Sequence, residues 1–253
     1  MAEFEKTAAL VLRRHPYSET SEIVVWMTPD EGRLVTLMKG ACRTKSAFAG
    51  QYDLFYTSEV VYYQRERNGI HIAKECAVMD ARTAFRRDWR AYVCASYITA
   101  LAERILHPGG MHADIYPLFH DSLDFLCEGG GTVPFIFWFE LRLVDLLGLA
   151  PQLDHCVVCR TPLDTPAMVF FAADHGGLLC QSCRARASRA EALPPDVLAI
   201  LRAWQQAAAP RATRHLRCTP AQVSHLRRVL GSFLHYYLDF LPETRRISLD
   251  MLE

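Results

Sequence analysis

Four cysteines arranged in two pairs constrain the fold of this chain more than any other feature. Cys156 and Cys159 form one Cys-x-x-Cys pair, and Cys180 and Cys183 form a second pair after twenty intervening residues. Two such pairs at this separation are typical of a zinc site with four thiolate ligands, because each tight turn presents two sulfur atoms to one ion. Prolines and glycines surround a short apolar run between the pairs, which predicts a β-ribbon tied together by the metal.

The number of ligands indicates what the metal does. A catalytic zinc keeps one coordination position open, whereas four cysteines leave none, so the pattern predicts one structural zinc ion per chain. Two disulfides or a redox dithiol could use the same cysteines and remain alternatives, although a redox pair usually lies near a βαβ pattern that this chain lacks. The other five cysteines are isolated in apolar surroundings, which is typical of small buried side chains and of a reducing cytoplasm.

The first eighty residues have the composition of β-strands. Runs rich in Val, Ile, Thr, Tyr and Phe predict five strands, at residues 7–13, 21–27, 33–38, 54–63 and 70–79. Five antiparallel strands within about seventy-five residues fit a small closed barrel, for which the oligonucleotide/oligosaccharide-binding (OB) fold is the commonest architecture. An SH3-like barrel is the alternative.

From Arg82 onward the hydrophobic period becomes helical. Aromatic and aliphatic residues recur every three or four positions between 85 and 105, which predicts a helix whose buried stripe includes Trp89 and Tyr92. Further helices are predicted at about 113–126, 132–148 and 194–208 and from Thr219 onward, where Thr219 and Gln222 have the spacing of a capping box. The segment 133–149 is the most apolar of the chain but carries Glu140, Arg142 and Asp145, so we expect a core helix and no membrane span.

Together these patterns predict an α+β protein with two domains. An N-terminal five-stranded OB-fold barrel occupies residues 1–80, and an all-helical domain occupies 81–253. The four-cysteine zinc ribbon is inserted into the helical domain at about 151–188.

The charge balance restricts the nucleic-acid surfaces that this chain could have. It contains 28 Lys and Arg against 28 Asp and Glu, so a nucleic-acid site must be a local basic patch. Lys39, Arg43 and Lys45 form one such patch after the third predicted strand. The aromatic residues that follow it are Phe48, Tyr52, Phe55 and Tyr56. A solvated loop and a groove that stacks single-stranded bases both fit this pattern.

The sequence contains none of the common catalytic motifs. A Walker-type phosphate loop, Gly-x-Ser-x-Gly, His-Glu-x-x-His and a dinucleotide fingerprint are all missing. We therefore expect a protein that is not an enzyme.

With strands, helices and cysteine pairs in this order, the whole chain resembles the RecO family, the bacterial recombination mediators of DNA repair. The matching segments extend from one end of the chain to the other: Thr7–Val24, Thr28–Arg33, Lys39–Ser46, Phe139–Pro151, the four paired cysteines and Leu234–Leu238.

The resemblance implies a DNA-handling factor without a catalytic step. Such proteins bind single- and double-stranded DNA and anneal complementary strands. They act with RecR to load RecA onto strands coated by single-strand-binding protein (SSB), and they contact the acidic C-terminal tail of SSB. A non-catalytic adaptor that binds RecR or SSB with little DNA contact is the alternative, motivated by the neutral net charge. A zinc-dependent nuclease is a third possibility.

The resemblance also assigns site residues by position. It implies that Cys156, Cys159, Cys180 and Cys183 bind the zinc ion. It also implies that a second set of residues contacts DNA phosphates, and such contacts position DNA without reading its sequence. The set consists of Lys39, Arg43 and Lys45 in the basic loop, with Arg13, Arg14 and Arg33 nearby in sequence.

Overall fold

The computed structural model describes residues 4–65, 69–110, 114–163, 168–214 and 216–253 of the chain. The chain forms two compact units, Met1–Gly129 and Gly130–Glu253. The predicted domain boundary at residue 80 stays a prediction. Within the described ranges, no helix is long and apolar enough to cross a membrane.

The first unit begins with a closed five-stranded barrel. Its strands are β1 (Phe4–Ser18), β2 (Ser21–Thr28), β3 (Gly32–Met38), β4 (Thr57–Tyr63) and β5 (His71–Asp80). Neighbours follow the order β1-β2-β3-β5-β4, and β4 pairs with β1 to close the barrel. Only the pairing of β3 with β5 is parallel among these strand pairs. The predicted α+β class and five-stranded OB-type barrel are confirmed.

Side chains fill the barrel, as expected for one of this size. Along β3 buried and half-buried residues alternate, which places Leu34, Thr36 and Met38 inside. The indole of Trp26 is fully buried and donates its N–H to the Thr36 hydroxyl at 2.8 Å. This bond satisfies the only polar group of a large buried side chain, so the core keeps the tryptophan without an unpaired donor.

Two helices complete the first unit, α1 (Trp89–Ile105) and α2 (Ile115–Cys127). The buried guanidinium of Arg82 connects α2 to the barrel. It donates to the Phe55 carbonyl at 2.9 Å, to the Thr57 hydroxyl at 2.8 Å and to the Asp124 carboxylate at 2.8 Å. The predicted start of the second helix at residue 113 lies outside the described residues.

The described residues of the second unit form four helices and a small sheet. In chain order its elements are α3 (Val133–Leu146), β6 (Val169–Ala172), β7 (Gly177–Leu179), β8 (Glu191–Leu193), α4 (Pro195–Gln206), α5 (Pro220–Leu238) and α6 (Glu243–Leu252). The capping box predicted for the helix after Thr219 is present at the start of α5. Helix α6 was not predicted, because few apolar residues mark its buried face.

A buried ion pair joins α3 to α6. Arg245 donates to both carboxylate oxygens of Glu140, at 2.7 and 3.0 Å, and both side chains are almost completely buried. A Cβ added to Gly231 of α5 would lie 3.0 Å from the Arg245 guanidinium, so a glycine leaves room for the pair. Glu140 is one of the three charged residues that argue against a membrane span at 133–149, and in the fold it is the counter-ion of a buried arginine.

Candidate metal centre and nucleic-acid interface

Two backbone turns hold the four paired cysteines. In the first, Arg160 has a left-handed backbone (φ 62°) and its N–H donates to the Cys156 carbonyl at 2.9 Å. In the second, the Cys183 N–H donates to the Cys180 carbonyl at 3.1 Å. The Val157 N–H donates to the Leu178 carbonyl of β7 at 2.9 Å, which ties the first turn to the ribbon. Cysteines 21 residues apart in sequence therefore face one another.

The four sulfur atoms form one cluster. All of them lie within 4.8 Å of one another, and the sulfur atoms of Cys159 and Cys180 are 3.7 Å apart. A disulfide would bring two sulfur atoms to about 2.05 Å, and all nine cysteines of the chain are free. The cluster can hold one metal ion, and the disulfide alternative finds no support.

The surroundings of the first pair favour ionised sulfur. A hydrogen bond with the Thr161 hydroxyl is the main cause that lowers the pKa of Cys159 to about 6. Burial opposes ionisation of Cys156, but backbone hydrogen bonds outweigh burial and lower the pKa of that thiol. Burial, together with the neighbouring thiols, raises the pKa of Cys183 to about 12. Because thiolates are the metal-binding form, the first pair is prepared for a cation that would help to ionise Cys183.

The isolated cysteines only partly follow the sequence prediction. Cys94 is fully buried, whereas Cys42 is exposed in the loop after β3. Ala41 packs against the barrel core, whereas Cys42, Arg43 and Thr44 are exposed. Its expected burial is therefore wrong.

The basic loop after β3 presents its three cations to solvent. Lys39, Arg43 and Lys45 are all exposed, and none forms an ion pair with any residue that the structure describes. The loop is attached to the β1–β2 turn, since the Cys42 N–H donates to the Thr20 carbonyl at 3.0 Å. Three unneutralised cations on a fixed loop can bind an anionic chain.

The other three predicted DNA-binding residues are ion-paired or half-buried. Arg14 pairs with Glu22 at 3.0 Å and with Asp53 at 2.6 Å. Arg13 pairs with Glu103 of α1 at 3.2 Å, and Arg33 is half-buried in β3. Arg13 and Arg14 thus have carboxylate partners, unlike the three exposed cations of the loop. DNA contact by the six residues stays a prediction.

The aromatic residues after the basic loop are not stacking platforms. Phe48, Tyr52, Phe55 and Tyr56 are each exposed by 9% or less, and three of them belong to the barrel core. They are buried because the connection between β3 and β4 folds over the barrel, which their local pattern did not indicate.

Exposed aromatic side chains occur instead on α1. Trp89 is 49% exposed and Tyr92 is 43% exposed, so their predicted burial is wrong. The buried face of α1 consists largely of small residues such as Ala91, Ala95 and Ala102, which allow close helix packing without these two aromatic rings. Arginines flank the exposed pair: Arg86, Arg87 and Arg90. The sequence signal for this exposed pair is the group of three arginines within three positions of Trp89, which the hydrophobic period does not reveal.

A cavity of about 1160 Å³ lies in the second unit. Residues between β7 and β8 and residues of α5 form its walls, and they include Arg184, Arg189 and Tyr236. Its two acidic residues have partners within the unit, since Asp174 accepts from the Ser188 hydroxyl at 2.8 Å and Glu191 pairs with Arg228 at 2.6 Å. Because Arg228 neutralises Glu191, the cavity wall carries two arginines against the single carboxylate of Asp174.

Two family models match almost the whole chain. Residues 1–82 match the N-terminal domain of recombination protein O, and residues 86–246 match its C-terminal domain.

Curated relatives match over similar lengths, and each carries the name DNA repair protein RecO. The protein of Moorella thermoacetica is 27% identical over 91% of this chain and 85% of its own length. That of Exiguobacterium sibiricum is 29% identical over 98% and 97%. That of Anaeromyxobacter sp. strain K is 29% identical over 95% and 94%. The chain belongs to the RecO family of DNA repair proteins.

Proposed function

We propose that this chain binds single- and double-stranded DNA, anneals complementary strands and, with RecR, helps to load RecA onto SSB-coated single strands. The observation that carries the proposal is the group of unpaired, exposed cations Lys39, Arg43 and Lys45 on a RecO-family barrel. In this proposal the protein acts by binding DNA and its partner proteins with different affinities, without a catalytic step. Phosphate contacts of this kind supply affinity without reading sequence.

An adaptor that binds RecR or SSB with little direct DNA contact is the second candidate. The formal net charge is zero, and two barrel arginines, Arg13 and Arg14, are neutralised by carboxylates. Both observations favour weak DNA binding.

Fluorescence anisotropy with labelled single and double strands distinguishes the two candidates. A DNA mediator should bind with about micromolar affinity or better at low salt, and its affinity should fall as salt rises. It should also accelerate annealing of complementary strands. Binding of RecR or SSB without any DNA binding at low salt would support the adaptor.

The basic loop gives a direct test of the DNA site. Replacing Lys39, Arg43 and Lys45 together by alanine should weaken DNA binding and reduce the slope of log affinity against log salt by about 2, since each single-strand phosphate contact contributes about 0.7. Anisotropy titrations at several salt concentrations measure both quantities. The matched control removes three cations that have ion-pair partners: Lys6→Ala, Arg228→Ala and Arg246→Ala. If both triple variants lost the same DNA affinity, the loss would reflect the change in net charge, and the DNA site would lie outside the basic loop.

We propose that the metal is a single structural zinc ion held by Cys156, Cys159, Cys180 and Cys183. Tetrahedral zinc with Zn–S bonds of about 2.3 Å requires sulfur atoms about 3.8 Å apart, and the Cys159–Cys180 separation of 3.7 Å supports this assignment. Four thiolates leave no open position for a substrate. The zinc would fasten the two turns of the ribbon to each other.

We propose the cavity of the second unit as the site for the acidic tail of SSB, since Arg184 and Arg189 lie beside apolar wall residues. Reversing both charges, Arg184→Glu with Arg189→Glu, should weaken binding of an SSB-tail peptide by about tenfold or more through like-charge repulsion. Fluorescence polarisation of the labelled peptide measures this. Arg186→Glu is the control, because this exposed neighbour is not a wall residue. An unchanged affinity in the double variant would place the tail elsewhere.

A further inference from the structure

Trp89 differs from every other tryptophan in the chain. The sequence contains four, and Trp26, Trp138 and Trp204 are exposed by 1% or less. Trp89 is 49% exposed at the first turn of α1. Tyr92 lies three residues later on the same face of the helix and is 43% exposed, so the two rings leave a patch of aromatic surface in water. Exposed apolar patches of this kind mark interaction sites.

The first turn of α1, which carries the indole, is fixed by its cap and by the packing of Tyr92. The Arg90 guanidinium lies over its ring at 4.8 Å. The Asp88 carboxylate caps α1 by accepting from the Arg90 N–H at 2.9 Å and the Ala91 N–H at 3.2 Å. Close by on the helix, the half-exposed ring of Tyr92 packs edge-on against Phe55 at 5.4 Å. Such a platform loses little conformational freedom when a ligand stacks on it.

The charge around the indole is positive. Arg86, Arg87 and Arg90 surround Trp89 in sequence, and Asp88 is already engaged as the helix cap. Arg87 is exposed and has no ion-pair partner among the residues that the structure describes. Arg86 is 63% exposed, and it hydrogen-bonds the Tyr56 hydroxyl and lies 3.8 Å from Asp53. Cations beside an exposed aromatic ring suit a ligand that has both an anionic backbone and flat rings.

We propose that Trp89, with Arg86, Arg87 and Arg90, forms a stacking site for an unpaired base of single-stranded DNA. The inference rests on the proposed DNA-binding function and adds to it a site separate from the basic loop. Single-stranded bases offer free π-faces to an aromatic ring, whereas bases in a duplex are already stacked. The site therefore favours single strands over duplex, in contrast to the basic loop, whose phosphate contacts serve both.

Tryptophan emission provides the first test, because the other three indoles are shielded. Titration of the full chain with an oligothymidylate of about 20 nucleotides, long enough for one barrel site, should quench the emission, and Trp89→Phe should lose most of this quenching. An equal length of duplex should quench much less. Emission that single strands leave unchanged, although anisotropy reports binding, would overturn the inference and leave the proposed function standing. If the wild-type chain bound no DNA at all, both the stacking site and the proposed DNA-binding function would be contradicted.

Affinity provides the second test. Trp89→Ala should lower single-strand affinity by about tenfold or more and leave duplex affinity and the melting temperature unchanged, while Trp89→Phe should retain most of the binding. Met251→Ala is the control, since this large apolar side chain is also 49% exposed but lies on α6 of the other unit. Equal losses for single strands and duplex would overturn the stacking role. So would quenching by an acidic peptide in place of the oligothymidylate, which would identify a protein-binding surface.

Discussion

Replacement of Cys156 by serine is expected to release the metal and to unfold the ribbon. Cys156 is fully buried and its carbonyl closes the first turn of the ribbon, so a weaker ligand at this position affects both coordination and packing. Structural zinc contributes folding free energy directly, with apparent values of about 10–16 kcal/mol in zinc-finger peptides. Metal analysis of the purified chain and thermal unfolding measure the two effects. We expect about one zinc ion per wild-type chain, substoichiometric zinc in the variant and a clearly lower melting temperature.

The control for this variant is Cys42→Ser. Cys42 is an exposed cysteine of the basic loop and has no part in the sulfur cluster, so it tests the cost of the chemical change alone. We expect this variant to keep its zinc and its melting temperature. A Cys156→Ser chain that also kept both would rule out Cys156 as a ligand.

The features that the sequence predicted correctly are those with a local signal. The two cysteine pairs indicate their own turns, and the run of strand-forming residues at 33–38 predicted β3, which extends from Gly32 to Met38. Thr219 and Gln222 are three residues apart, which is all that a capping box requires. In each case neighbouring residues contain the whole physical reason for the structure.

The features that the sequence did not predict depend on residues far apart in the chain. The ion pair of Arg14 with Asp53 at 2.6 Å joins residues 39 positions apart, so no local pattern shows it. Trp89 fits a helical stripe, but the packing of α1 uses its small residues and leaves the indole in water. Periodicity reports that a helix is amphipathic, and only the tertiary fold decides where the buried face begins. The basic loop kept its predicted exposure because no carboxylate is folded onto it.

Loss of Glu140 or Arg245 is expected to destabilise the second unit more than other charge substitutions outside the metal site. The two residues are 105 positions apart and are exposed by 0% and 4% at their side chains. Arg245→Met would leave the Glu140 carboxylate in the core without its main counter-ion. Removing one partner of a buried pair typically costs about 3–5 kcal/mol, because the remaining charge has lost its solvation and its partner. Urea unfolding followed by circular dichroism measures the change in free energy of unfolding.

The neighbouring arginine supplies the control. Arg246 is 61% exposed and pairs with Glu243 on the surface, so Arg246→Met should cost about 1 kcal/mol or less. The double variant Glu140→Leu with Arg245→Met removes both charges together and should recover much of the lost stability, as replacement of a buried pair by apolar side chains often does. If Arg245→Met cost no more than Arg246→Met, the pair would not stabilise the fold. If the double variant were as unstable as the two single losses combined, the penalty would come from packing and not from an unpaired charge.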